Sequence, residues 1–269
     1  MEHASIAVLI ILALFVCPIV FHIYRAVKGK EIFIRRIPGL DAIDEAIGRS
    51  VELGRPIVFT PALTGIGPLF AACLGVLRHI AKKTAIFSSR LYVPCADPEA
   101  LVLADVTVQN AYKSQKRYSS YDPSCMRYLS SEQFAFASGY MGLVQREQPG
   151  ATFLFGSFAA ESLILAEAGQ KVGAIQVAAT TDVQQIPFFI TACDYTLIGE
   201  ELYAAGAYLG TDPVQRGSIR GQDFAKLVII FLIFIGVGVS TYYSITKKDP
   251  KTNPVTTWLN SKSEEGENE

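Results

Sequence analysis

Two uncharged apolar stretches bracket this chain, and they constrain its fold more than any other feature. Ala4 to Ile23 reads ASIAVLIILALFVCPIVFHI, and Leu227 to Ile245 reads LVIIFLIFIGVGVSTYYSI. At 20 and 19 residues without Asp, Glu, Lys or Arg, each matches the ~20-residue helix that crosses a bilayer core. A buried core helix is the competing reading. Apolar character around the whole circumference and charged flanks argue against it. These stretches also explain a hydrophobic content of 50% and a mean hydropathy of +0.30.

Met-Glu-His precedes the first stretch, and no small-x-small cleavage site follows it, so a retained anchor is expected rather than a cleaved signal. Arg25, Lys28, Lys30, Arg35 and Arg36 follow it, which predicts that the intervening domain is cytoplasmic and both termini lie outside. Free cysteines in that domain agree with a reducing compartment. The expected layout is a transmembrane helix at 1–24, a connector at 25–39, an α/β domain at 40–223, a second transmembrane helix at 224–245 and a flexible polar tail at 246–269.

Between the stretches, short apolar runs alternate with helical segments. PIVFT (56–60), TAIFSSRLYV (84–93), ATFLF (151–155) and GAIQVAAT (173–180) read as strands. Helices are expected over 68–82, from Asp97 to Lys116, from a Ser130/Gln133 capping box to Gln148, over 158–168, and as one long helix over 187–209. This alternation predicts a Rossmann-like open parallel sheet with flanking helices, held between two transmembrane helices. Net charge is −1, from 24 basic and 25 acidic residues, so no nucleic-acid footprint is present. Five cysteines without a CxxC and three histidines argue against a disulfide framework, a metal site and a histidine-based triad.

In an open α/β sheet, ligands bind beyond the carboxyl ends of the strands. The predicted strand ends carry Thr60 with Gly65 and Gly67, then Ser88, Ser89 and Arg90, then Gly156 and Ser157, then Thr180, Thr181 and Asp182. Small and hydroxyl residues beside helix N-termini can donate to an anion such as a phosphate. The same residues also cap helices without any ligand. GxGxxG fails because Phe70 stands where its third glycine belongs, and GxxxxGK[ST] and GxSxG are absent. No catalytic residue and no cofactor is assigned.

Ala192, Gly199 and Gly206 recur every seven residues and predict a small-residue groove for close packing. Gly236 and Ser240 form a small-xxx-small pair within the second stretch, a face on which helices can approach closely.

GRPIVFTPAL (54–63), ESLILAEAGQKVGAIQVAAT (161–180) and PFFITACDYTLIGEELYAAGAYL (187–209) resemble an uncharacterised bacterial membrane-protein family known only as a domain of unknown function. The resemblance spans most of 37–226 and implies a tethered domain in the bacterial cytoplasmic membrane, with no activity attached. The expectation for function is a structural or assembly role with self-association, the lipid bilayer and further protein partners around it. The alternative is an enzyme or sensor that binds a phosphorylated small molecule at the strand ends.

Overall fold

Parallel strands need crossover connections, and here each crossover is helical. The structure, a computed structural model, describes residues 6–29, 38–209 and 213–246, and the chain falls into two units: 1–30 with 217–269, and 31–216. Nearly all of the predicted tail and residues 30–37 of the connector lie outside the described residues.

In the first unit, α1 (Ile6–Val27) packs against the body of α9 (Pro213–Ile245). A Cβ added at Gly217 would lie 2.6 Å from Ile23 Cα, and one at Gly221 would lie 2.5 Å from Ile19 Cα. Only glycine lets two helix backbones approach so closely. The His22 and Phe224 rings flank this crossing at 6.2 Å. A Cβ at Gly236 would meet nothing within 4 Å, so the close crossing lies at Gly217 and Gly221. Among the described residues one helix, Pro213–Tyr243, is long and apolar enough to cross a membrane. Leu12–Val27 forms a shorter apolar helix.

The second unit runs α2 (Pro38–Glu52), β1 (Ile57–Ala62), α3 (Pro68–Phe87), β2 (Leu91–Cys95), α4 (Pro98–Ser114), β3 (Met126–Tyr128), α5 (Gln133–Glu147), β4 (Ala151–Ser157), α6 (Ser162–Lys171), β5 (Ile175–Thr180), α7 (Ile186–Ala192), β6 (Tyr195–Ile198) and α8 (Glu200–Leu209). All strand pairs are parallel, in the order β3-β2-β1-β4-β5-β6. The chain builds outward from β1 to β3, returns to the centre, and builds outward again from β4. β1 and β4 are therefore the topological switch point of a doubly wound sheet. Phe59, Phe153 and Phe155 face α2, α3, α4 and α8. Val58, Leu154 and Ala178 face α5, α6 and α7, where Phe136, Tyr140 and Phe189 fill the layer. β1 and β2 are buried along their whole length, which explains why they read as continuous apolar runs.

Three sequence expectations need correction. Thr84 to Phe87 belong to α3, whose end is set by Ser88 in the left-handed region (φ +55°), so β2 starts only at Leu91. The single helix expected over 187–209 is α7, β6 and α8. Asp194 Oδ2 accepts the Gln176 amide (2.8 Å), and Gly199 turns the chain at φ +59°. The Ser130/Gln133 capping box does not form. Ser130 Oγ accepts from Glu132 N, and α5 starts without a side-chain cap.

Candidate functional site

The carboxyl edge at the switch point is built by the turns after β1 and β4. β1 ends with Ala62 at φ +48°, and the chain then passes through Thr64, Gly65, Ile66 and Gly67 into Pro68 at the start of α3. That helix has neither a side-chain cap nor an acid in its first turn. A Cβ at Gly65 or Gly67 would meet nothing within 4 Å.

Across the switch point the packing is the opposite. Thr64 Oγ1 donates to Pro61 O and accepts from Ser157 N at 2.7 Å. Gly156 sits at φ +147°, and a Cβ there would collide with Thr64 Oγ1 and Pro61 O. Thr60 Oγ1 donates to Pro94 O (2.8 Å) and accepts from Ala62 N (3.0 Å). The structure thus joins the turn after β1 to Gly156 and Ser157 through Thr64 and Pro61. Thr64 closes the Gly156 side and occupies the Ser157 amide that an anion would need there, whereas Gly65 and Gly67 face open space.

The next strand end follows the same pattern. Thr180 is buried, and its Oγ1 accepts Asp182 N at 3.1 Å. Asp182 Oδ1 accepts Gln184 N at 3.1 Å, and Asp182 O accepts the Gln185 amide. Thr181 is half-buried beside them. These residues close the turn into α7, the capping role that Ser, Thr and Asp play without a ligand.

Behind both turns lies a polar cluster that sequence reading missed. Glu161 is fully buried; it accepts Ala159 N at 3.0 Å and the Gln133 side-chain amide from α5. Buried Ser162 donates to Gln185 Oε1 at 2.6 Å. The signal was faint: an acid just before an apolar helix reads as a dipole partner rather than as a cross-brace. Next to it, Phe158 and Phe189 are buried edge to face at 5.0 Å, while Phe188 is 43% exposed.

The electrostatics of this edge oppose an anion. Asp97, Glu132, Glu161, Asp182, Glu200 and Glu201 all stand at helix starts on this side. Burial pushes the Cys73, Cys95 and Cys193 thiols up to about 12, so they stay protonated at neutral pH. Cys73 Sγ donates to Phe155 O at 3.3 Å. His79 pairs with Asp44 at 2.8 Å between α3 and α2. Among the described residues no three His, Cys, Asp or Glu side chains gather as a metal site would require.

Ser88, Ser89 and Arg90 move away from this edge altogether. With β2 starting at Leu91, they lie at the amino edge of the sheet, where they line two concavities of about 380 and 270 Å³. Ala192, Gly199 and Gly206 sit on or beside three separate elements rather than along one groove. Gly206 alone meets another backbone: its Cβ would lie 2.7 Å from Ala72 O of α3. Gly199 faces open space, so its requirement is the positive φ.

No curated protein and no solved structure matches this chain. A family profile does match, over residues 1–250, and it covers α1, the doubly wound sheet and α9 alike. The chain therefore belongs to the family described as a domain of unknown function, DUF6754.

Proposed function

We propose that this chain is a membrane-anchored α/β domain with a structural or assembly role, which self-associates in a bacterial cytoplasmic membrane. Two spans, α1 and α9, hold the sheet in the cytoplasm, with both termini on the other side. The observation that carries the structural reading is the occupied switch point. Thr64 engages the Ser157 amide, and Gly156 has no room for a Cβ. The positive-inside pattern after the first apolar stretch supports the orientation.

One observation favours a second reading, a phosphorylated small molecule at the strand ends. The start of α3 is uncapped, and Gly65 and Gly67 leave space in front of it. Native mass spectrometry of the full chain in mild detergent separates the two. The structural reading expects a multiple of the 29.3 kDa chain with no small-molecule adduct. A monomer contradicts self-association, and a phosphate-bearing adduct removed by Gly67→Val supports the second reading.

A further inference from the structure

In a parallel sheet with helical crossovers, every helix that leads into a strand ends at the amino edge. Bases near helix C-termini complement the dipole, so Arg49, Lys113, Arg146 and Lys171 need no further reason to be there. Other bases stand here too, two of them with partners: Arg55 Nη1 donates to Val172 O at 3.4 Å, and Arg90 hydrogen-bonds Tyr92. Arg55, Arg90, Lys116 and Arg117 lie beyond the helices, on connecting segments. Leu53, Ile86 and Phe87 are 57%, 50% and 50% exposed among them. Phe87, Arg55, Ser89 and Arg90 line the same 380 Å³ concavity.

Three of the acids at this edge are engaged. Glu147 accepts from Tyr92 and pairs with Arg146, Asp194 holds Gln176 N, and Asp122 caps Ser124. Glu52 is exposed at the end of α2. The opposite edge carries the acids at the helix starts. The domain is therefore polarised along its strands, although its net charge is near zero.

Basic side chains interleaved with exposed large apolar ones are what an anionic bilayer surface takes up: the cations meet headgroup phosphates, and the apolar groups enter the boundary. The chain runs on from α8 into α9, whose uncharged apolar stretch begins at Leu227. We propose that the amino edge of the sheet, centred on Arg55, Phe87 and Arg90, docks on the surface of an anionic membrane. This rests on the anchored reading above.

The test is hydrogen exchange of the full chain in nanodiscs of phosphatidylcholine alone or with added phosphatidylglycerol. Co-elution with the discs reports anchoring by itself, so failure to incorporate overturns the anchored reading and not merely the docking. In incorporated protein, amides at 53–55 and 86–90 should exchange about tenfold more slowly with anionic lipid. Raised salt, or Arg90→Glu with Phe87→Ser, should abolish that difference while the exchange of β4 and β5 stays unchanged. Equal exchange in both discs overturns docking. So does protection that free glycerol phosphate or a DNA oligomer reproduces in phosphatidylcholine discs, which would make the edge a soluble-anion or nucleic-acid site.

Discussion

At Gly156 the φ of +147° and the closeness of Thr64 leave no place for a Cβ. Gly156→Ala should destabilise the domain by about 3 kcal/mol through combined strain and overpacking. Thr64→Val, which leaves the Ser157 amide without its acceptor, should cost about 1–3 kcal/mol. Thermal unfolding of both variants checks this, and unchanged melting temperatures would mean that the switch point is loosely closed. Neither requirement was legible in the sequence, where Gly156 and Ser157 read equally well as a ligand's neighbours. Closure depends on Thr64, 93 positions away from Ser157.

Glu147 offers a pH handle at the same scale. The hydrogen bond from Tyr92, helped by Arg146 and Arg127, holds its carboxyl below the usual carboxylate range. A lowered folded-state value means stability that is present at neutral pH and lost as pH falls through that value. Tyr92→Phe should cost about 1 kcal/mol at neutral pH and shrink this acid-dependent loss. Melting curves of the two proteins that run parallel from pH 7 to pH 3, with no narrowing of the gap, would contradict it.

Among the elements, α3 and α8 pack backbone to backbone: a Cβ at Gly75 would lie 2.8 Å from Gly206 O, and one at Gly206 would lie 2.7 Å from Ala72 O. Gly206→Leu should destabilise by about 1–3 kcal/mol. Gly199→Leu should act through the backbone alone, since nothing lies within 4 Å of that position. An equal response to Gly199→Leu and Gly199→Asn would identify crowding instead, because asparagine tolerates the left-handed region.

The sequence showed β1, β4 and β5 clearly, because buried parallel strands are continuous apolar runs between turn residues. β3 and β6 escaped because each is short and partly exposed at a sheet edge. The β-branched and aromatic TAIF run imitated a strand, and tertiary packing kept it helical. That misreading placed Ser88 to Arg90 at the wrong edge of the sheet.

At the scale of the whole molecule, the α/β class and the parallel sheet followed from alternation alone, and the polarity of the sheet followed from the dipole rule applied to every crossover. Composition hid that polarity, because 24 bases and 25 acids nearly cancel. The proposed double tether makes one demand: with two spans, both chain ends share a side and the sheet lies on the other. The direct measurement is cysteine accessibility in intact cells, with native cysteines replaced and single cysteines placed at Ser119 and Ser263. The account predicts that an impermeant maleimide labels position 263 and leaves 119 unlabelled until the membrane is permeabilised. Labelling of 119 alone would put the sheet outside, and labelling of neither or both would contradict the double tether itself.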